Sequence, residues 1–263
     1  VTLALAMATQ RMAARNVLVR HLPAVEALGS ATVIVTDKTG TLTENSMHAR
    51  TAVFADATLE LDALALSVAS QRAMFFDIAR HCHSLHLVAD QGHTVQLGDP
   101  MEVALVAMAK RAAASRPVLE RLDELPFDAD RKCMSTLHAS AEGAILYCKG
   151  ALEALLPRCT RVQLASDRLA PLDRSLRERF IAAERRIAAR GERVLALAWR
   201  LVPHGLARER WEDELVLAGL VGLEDPPRAE VPAAVRSCRE AGIRVIMITG
   251  DHPRTAARIA ADL

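Results

Sequence analysis

The sequence predicts an α/β fold in which a parallel sheet is interrupted by an inserted α+β domain. Residues 31–36 form an apolar run that ends at a carboxylate, and residues 215–223 and 243–249 form two near-continuous apolar runs joined by a helical segment. Runs of this kind are typical of strands that are buried on both faces. Between these regions, short strands and amphipathic helices alternate in the mixed pattern of a different domain. The predicted divisions are 1–46, 47–212 and 213–263.

Apolar periodicity and end signals predict the other elements in chain order. Asp99 and Pro100 suit the start of one helix, and Gly29 and Gly191 suit the ends of two others. The predicted helices are 1–16, 23–28, 59–73, 101–114, 151–156, 172–190, 232–242 and one that starts at 253. The further predicted strands are 46–54, 121–127, 134–139, 144–148 and 194–200. Residues 77–98 give no clear pattern.

The bulk composition excludes several classes of protein. The chain has 263 residues, with 33 basic and 32 acidic side chains and a formal charge of +1, so no nucleic-acid partner is expected. Hydrophobic residues make up 51%, which argues against disorder. No run of about 18 apolar residues occurs, so we expect no membrane span and no signal peptide in this chain. The five cysteines form no CxxC pair, which favours a reduced cytosolic environment.

The most informative segment is DKTGTLT, residues 37–43, which directly follows the strand predicted at 31–36. In open α/β sheets ligands bind at the carboxyl ends of strands, so Asp37 is a candidate nucleophile for a phosphoryl group. Lys38 adds a cation, Thr39 a hydroxyl, and Gly40 lets the backbone close around a phosphate. The alternative is a threonine-rich turn in which Asp37 only caps a loop. The segment resembles the phosphorylation motif of the P-type ATPases, the ion-pumping family.

A second segment, Thr249-Gly250-Asp251, also follows a buried strand and resembles the TGD motif of the same pumps. A parallel sheet would bring its loop close to the loop of Asp37. The resemblance implies that Thr249 binds a phosphoryl oxygen through its hydroxyl, that Gly250 binds one through its backbone N–H, and that Asp251 belongs to the same catalytic group. It also implies a haloacid-dehalogenase-like, Rossmann-like parallel sheet, incomplete here in its C-terminal half.

The residue two positions after Asp37 separates a pump from a phosphatase. Hydrolases of the wider haloacid-dehalogenase class carry a second aspartate there as a general acid and base. Here that position is Thr39, which does not titrate near neutral pH. A phosphoenzyme on Asp37 should therefore persist. The resemblance further implies that the Asp37 carboxylate and the Thr39 carbonyl hold Mg²⁺, a cation that prefers oxygen ligands.

Four further segments resemble nucleotide-contacting parts of the family. Residues 98–105 (GDPMEVAL) match a GDPxExAL segment, residues 127–135 (FDADRKCMS) match FxxxRKxMS, residues 149–151 match KGA, and residues 225–228 match DPPR. The resemblance implies adenine stacking on an aromatic ring, cations near the phosphates, and a carboxylate near the nucleotide and the hinge. The implied nucleotide-binding residues are Glu102, Phe127, Arg131, Lys132, Lys149, Gly150, Arg193, Asp225 and Arg228.

Several of these residues have simpler interpretations that stay open. Phe127 alone would be a core residue, Lys149-Gly150 a strand-ending turn, and Asp225 a helix cap before two prolines. Ala129 stands where some members of the family carry another arginine. A metal site at residues 81–86, which include three histidines and Cys82, lacks the usual spacing of four zinc ligands, so a solvated segment is favoured.

The resemblance covers essentially the whole chain and is to type II, calcium-pump-like members. It implies a cytoplasmic, ATP- and Mg²⁺-using fragment of a pump in a bacterial cell membrane. The expected partners are ATP and the remainder of the pump, namely membrane helices, an actuator domain and the rest of the phosphorylation domain. We expect nucleotide binding but incomplete catalysis by this fragment alone. The alternatives are a soluble phosphatase of the wider class and a non-enzymatic nucleotide-binding regulator.

Overall fold

The computed structural model describes residues 2–61, 71–90, 93–112, 117–249 and 253–263. The helices are α1 Thr2–Ala13, α2 Leu22–Gly29, α3 Ala73–His81, α4 Pro100–Ala112, α5 Leu152–Leu155, α6 Arg174–Ala188, α7 Val231–Glu240 and α8 Pro253–Asp262. The strands are β1 Val33–Asp37, β2 His48–Val53, β3 Thr58–Glu60, β4 His86–Asp90, β5 His93–Leu97, β6 Arg121–Asp128, β7 Cys133–Ser140, β8 Gly143–Gly150, β9 Cys159–Gln163, β10 Leu169–Pro171, β11 Arg193–Val202, β12 Leu215–Glu224 and β13 Arg244–Ile248.

A nine-stranded sheet dominates the fold. Its main path runs β10-β9-β12-β11-β8-β7-β6, and β2 joins β12 to β3. Its pairings are antiparallel except for β9 with β12. The predicted α/β class is therefore confirmed, but the haloacid-dehalogenase-like parallel sheet is not. Within the described residues, parallel pairing is limited to β9 with β12 and to the separate pair β1 with β13.

Helices cover both faces of the large sheet. On one face α5 and α6 contribute Leu152, Leu155 and Phe180 to a core cluster, and all three side chains are at most 2% exposed. On the other face α3 and α4 bury Ile78 and Leu105 against the sheet. This two-sided cover explains why the central strands are apolar at nearly every position, since neither face meets water.

Strand β12 corrects the sequence-based grouping of elements. Its apolar run at 215–223 was predicted as part of the parallel sheet, yet β12 lies between β11 on one side and β9 and β2 on the other. A continuous apolar run marks a strand buried on both faces, and here helices supply that burial around an antiparallel sheet. The chain boundaries at 46/47 and 212/213 remain a prediction.

The parallel pair β1–β13 forms a small second sheet. Its partners are in register from Val33 opposite Arg244 to Asp37 opposite Ile248. Helix α7 packs near it, and a small cluster of Leu42, Val231 and Val235 joins α7 to the loop after β1. Along the chain, this sheet is connected to the large one through the segments before β2 and after β12, and these two strands are themselves paired.

Some elements differ from the sequence-based prediction. The helix predicted at 59–73 is wrong at its start, where Thr58–Glu60 pairs with β2 as a strand, and residues 62–70 lie outside the described part. The unassigned region 77–98 contains the end of α3 and the antiparallel pair of β4 with β5. The short strands β9 and β10 were not predicted. Over the residues that the structure describes, no helix is both long and apolar enough to span a bilayer.

Candidate functional site

Asp37 is the last residue of β1, at the carboxyl end of the parallel pair. The register places it opposite Ile248, the last residue of β13, so Thr249 is the first residue after the neighbouring strand. The Asp37 side chain caps the next turn, because its Oδ1 accepts the backbone N–H of Lys38 at 2.8 Å. The adjacency predicted for the two loops thus holds as far as Thr249. Gly250 and Asp251 lie outside the described residues.

The turn after Asp37 is a single tight loop that closes on Thr43. Gly40 has φ +74°, a left-handed conformation that favours glycine. Thr43 is fully buried, and its hydroxyl accepts the Gly40 N–H at 3.3 Å while it donates to Asp225 Oδ2 at 2.6 Å. One hydroxyl therefore connects the middle of the Asp37 loop to a residue 182 positions away.

The 225–228 segment acts as a clamp on the Asp37 loop. Asp225 Oδ1 also accepts the Ser46 N–H at 3.2 Å, and the Arg228 side chain donates to the Gly40 carbonyl at 3.0 Å. Backbone bonds complete the contact, with Glu44 N–H on the Pro226 carbonyl and Arg228 N–H on the Leu42 carbonyl. In this structure both side chains that were predicted to serve the nucleotide hold the loop of the nucleophile.

A cleft of about 1160 Å³ runs between the Asp37 loop and the large sheet. Lys38 and Thr39 line one wall, and Arg193 and the 99–101 segment line the other. Arg190 in the same wall is neutralised by Glu60 and Glu192, at 3.1 and 2.9 Å. Arg193, by contrast, forms no ion pair with any residue that the structure describes. The cleft thus offers an exposed guanidinium opposite the nucleophile loop.

A buried ion pair involves Glu102, the residue that directly follows the 99–101 segment of the cleft wall. Lys149 Nζ donates to Glu102 Oε1 at 2.7 Å, and both side chains are at most 8% exposed. Glu102 Oε2 also accepts the N–H and hydroxyl of Ser84. Burial by itself raises the pKa of Glu102, but Lys149 and Ser84 outweigh it and hold the pKa below its usual range. The pair joins the start of α4 to the end of β8.

Gly150 follows Lys149 at a point where only glycine fits. A Cβ on Gly150 would lie 2.5 Å from the Lys132 carbonyl oxygen and 2.5 Å from Cys133 Cβ. This close approach brings the 149–151 segment against the turn between β6 and β7. Phe127 precedes that turn and is 67% exposed, an unusual position for an aromatic ring. Lys132 is exposed as well and pairs with Glu153 at 3.2 Å.

Arg131 is the predicted site residue whose position most differs from expectation. Its guanidinium is held by Glu212, a buried carboxylate in the loop before β12, at 2.6 Å. Sequence reasoning missed Glu212, which stands in an ordinary acidic stretch, 212–214, that gives no signal of burial. Cys133, Cys148 and Glu212 could together be spaced for a metal ion. However, two guanidiniums already bond the Glu212 oxygens, and their charge opposes a cation there.

The histidine-bearing segment at 81–86 begins with two core residues, His81 and Cys82. His81 Nδ1 contacts the Asp77 carbonyl at 2.8 Å and Nε2 accepts the Leu119 N–H at 3.0 Å, so both ring nitrogens are used by the backbone. Burial raises the pKa of the Cys82 thiol to about 11, because the thiolate would be desolvated. The favoured sequence interpretation, a solvated segment, is therefore wrong for His81 and Cys82, and neither side chain is arranged for metal binding.

Comparison with known proteins identifies the family of this chain. The family model described as P-type ATPase, cytoplasmic domain N, matches residues 73–230, more than half of the chain. The chain belongs to the P-type ATPases. This match covers α3 to the 225–228 clamp, and therefore the whole of the large sheet except β2 and β3. The resemblance noted in DKTGTLT and in the nucleotide-contacting segments is thus confirmed at the level of the family.

Individual P-type ATPases resemble the chain over its full length. It is 39% identical to a calcium-transporting ATPase of Bacillus cereus, 38% to a cation-transporting ATPase of Synechocystis and 36% to a calcium-transporting ATPase of Listeria monocytogenes. These alignments cover 99–100% of this chain but only 30–31% of each relative. The chain therefore spans about a third of the length of the pumps that it matches.

Two lysine–glutamate pairs in the described part of this P-type ATPase chain provide a matched test. Lys149→Met leaves the Glu102 carboxylate buried without its cation, so we expect unfolding free energy to fall by about 3–5 kcal/mol. Lys132→Met breaks the exposed pair with Glu153, and we expect a loss of at most about 1 kcal/mol. Urea denaturation followed by circular dichroism measures both. Equal losses in the two variants would contradict the assignment of Lys149–Glu102 as the buried pair.

The clamp on the Asp37 loop predicts a local effect of Thr43. Thr43→Val removes the hydroxyl between Gly40 and Asp225, which corresponds to about 1.4 kcal/mol or about tenfold in local opening. We expect amide hydrogens of residues 38–46 to exchange about ten times faster, as followed by mass spectrometry. Thr41→Val, the same change at an exposed position of the loop, is the control and should leave exchange unchanged. Unchanged exchange in Thr43→Val would exclude the clamp.

Proposed function

We propose that this chain is the ATP-binding and phosphorylation region of a cation-transporting P-type ATPase, in which the γ-phosphate of ATP is transferred to Asp37. The observation that carries the proposal is the parallel register of β1 and β13. It sets Asp37 opposite Ile248 at the carboxyl ends of two strands, and Thr249 directly follows Ile248. The family membership and the cleft from the Asp37 loop to Arg193 support the same proposal.

In the proposed reaction, an oxygen of the Asp37 carboxylate attacks the γ-phosphorus of ATP. The bond from that phosphorus to the β–γ bridging oxygen breaks, ADP leaves, and an acyl phosphate remains on Asp37. The Lys38 N–H already bonds Oδ1 of this carboxylate, which restricts the rotation of the side chain. Thr39 offers no group that could activate water, so the acyl phosphate is retained. This retention is what a transport cycle needs and a phosphatase does not.

The exposed Asp37 carboxylate and the main-chain carbonyl of Thr39 suit a hard cation such as Mg²⁺, which prefers oxygen donors. When bound there, Mg²⁺ would supply positive charge to the phosphates. The clamp contributes to this fit because Thr43, Asp225 and Arg228 fix the loop that carries both donors. Asp225 and Arg228 therefore serve the phosphoryl site through the loop, in addition to any contact that they make with the nucleotide.

We assign nucleotide binding to the surface around Phe127, Lys149 and Gly150. Phe127 presents an exposed ring for stacking, and Lys132 lies close by as an exposed cation. The buried pair of Lys149 and Glu102 forms the polar floor of this surface. Arg193 lies in the cleft between this surface and Asp37, where a guanidinium can bind phosphate.

At the level of the whole protein, we propose that phosphorylation is coupled to cation transport. The support is the names of the relatives, which are calcium- and cation-transporting ATPases. The proposed partners of this region are the membrane helices, the actuator domain and the rest of the phosphorylation domain. On this proposal the region lies on the cytoplasmic side of the cell membrane.

Nucleotide binding is testable on the chain itself. Phe127→Ala removes the stacking ring, and we expect ATP affinity to fall by about tenfold or more, in line with a loss of about 1–3 kcal/mol per stacked base. Isothermal titration calorimetry with ATP measures the dissociation constant. Leu122→Ala, which truncates an exposed apolar side chain on the same strand β6, is the control and should bind ATP like the wild type. Equal affinity in Phe127→Ala would refute the stacking role.

Phosphorylation is tested in the full-length protein with γ-labelled ATP and Mg²⁺. We expect an acid-stable label that Asp37→Asn abolishes. Thr39→Asp restores a titratable group two residues after the nucleophile, so we expect its label to decay faster by about 10²-fold, the low end for general acid–base catalysis. Rapid turnover of a simple phosphate ester by the wild type, without a stored label, would favour the soluble phosphatase instead.

A further inference from the structure

Glu212 is a buried acidic side chain outside the predicted site residues, and both of its oxygens are bonded. It lies in the loop between β11 and β12, and its side chain is only 8% exposed. Oε1 accepts from Arg131 Nη1 at 2.6 Å and from the Ser135 hydroxyl at 2.7 Å, and Oε2 accepts from Arg158 Nη1 at 2.5 Å. A buried carboxylate bonded by two guanidiniums is a rigid junction, because removing the carboxylate or the guanidiniums leaves the remaining charge uncompensated.

The first guanidinium controls the turn that carries Phe127. Besides Glu212, Arg131 donates through Nη2 to the Pro126 carbonyl at 2.5 Å and to the Cys133 carbonyl at 3.5 Å. These carbonyls lie just before Phe127 and just after Lys132. The Arg131 side chain therefore spans the open end of the turn and holds its two strands together.

The turn itself needs such support. Asp128 Oδ1 accepts the N–H groups of Asp130 and Arg131, which makes the turn compact. Lys132 at its end has φ +51°, a left-handed conformation that is uncommon for a residue other than glycine. A strained residue persists where its surroundings determine the backbone. The bond from Arg131 to Glu212, a residue outside the turn, helps to fix the backbone of the turn.

The second guanidinium ties the same carboxylate to the 149–151 segment. Arg158 ends the short 3-10 turn Leu156–Arg158, which continues from α5, and α5 begins directly after Ala151. The backbone N–H of Ala151 in turn donates to the Lys132 carbonyl at 3.0 Å. Glu212 thus links both segments that form the proposed nucleotide surface, although it belongs to neither.

We propose that Glu212 is a positioning residue for the base of the nucleotide, acting through Arg131 to hold Phe127 in its stacking position. This inference rests on the proposed function, since it presupposes that Phe127 stacks on the base. It also reassigns Arg131, which the sequence predicted to approach the nucleotide directly. Arg131 bonds Glu212 and the ends of the turn, and its effect on binding is exerted through the ring.

Comparing the affinities for AMP, ADP and ATP distinguishes a residue that positions the base from one that contacts the phosphates. We expect Glu212→Gln to weaken AMP, ADP and ATP by one common factor of about tenfold, as measured by calorimetry. Arg193→Ala should instead weaken ATP more than ADP and ADP more than AMP. Glu178→Gln, which makes the same change in an exposed pair with Arg174 on α6, is the control and should leave all three affinities unchanged. A loss in Glu212→Gln that grows with phosphate number would overturn the proposal.

A double-mutant cycle tests whether Glu212 acts through Phe127. In the Phe127→Ala background, we expect Glu212→Gln to cause no further loss of AMP affinity, because the ring that it positions is gone. A merely structural role would give additive losses instead, and additivity would overturn the proposal. Arg131→Met keeps the Glu212–Arg158 bond and replaces Glu212→Gln in the same cycle if that variant does not fold.

The outcomes distinguish this inference from the proposed function. If the wild type binds AMP, ADP and ATP but neither Glu212→Gln nor Arg131→Met changes AMP affinity in folded protein, the positioning role is overturned and nucleotide binding stands. If the folded wild type binds none of the three nucleotides, both the proposed function and this inference are overturned. A common loss that disappears without Phe127 supports both.

Discussion

Strands β2 and β12 run antiparallel, and their pairing brings the point where the chain enters the large sheet beside the point where it leaves. The segments that precede β2 and follow β12 are consequently neighbours, although 179 or more positions separate them. One of these segments holds Thr43 and Ser46, and the other begins with Asp225. The clamp on the Asp37 loop is a direct result of this geometry. Without the pairing, a carboxylate at 225 would have no reason to meet a hydroxyl at 43.

Two buried carboxylates hold the remainder of the proposed site together, because each forms ion pairs with cationic side chains from separate parts of the chain. Glu102 on α4 takes Lys149 from the end of β8, while Glu212 takes Arg131 and Arg158 from two turns. A buried charge is costly unless it is paired, so each carboxylate constrains its partners to one arrangement. Exposed pairs such as Lys132–Glu153 impose no such constraint. The proposed nucleotide surface therefore combines a fixed floor with side chains that remain exposed to solvent.

The sequence was most informative where the chemistry is local. The strand, the carboxylate and the glycine of residues 33–40 could be predicted because the signals for them lie within a few consecutive residues. The place of β12 in the antiparallel sheet could not be predicted, because an apolar run indicates that both faces of a strand are buried but not the direction of the neighbouring strands. The strand Thr58–Glu60 was read as helix, since three residues carry too little periodicity. Glu212 was missed for a different reason: only its tertiary surroundings distinguish it from the solvent-exposed acids beside it.

The connection of the two sheets also bears on the order in which the molecule assembles. Strands β1 and β13 are roughly 210 residues apart, and joining the ends of a flexible loop of that length costs about 5 kcal/mol of chain entropy. A pair of five-residue strands offers little to offset such a cost. Once the large sheet has formed, however, β2 and β12 already hold both connections together, and the loop left to close is about a seventh as long. The large sheet thus serves as the template on which the nucleophile strand finds its partner.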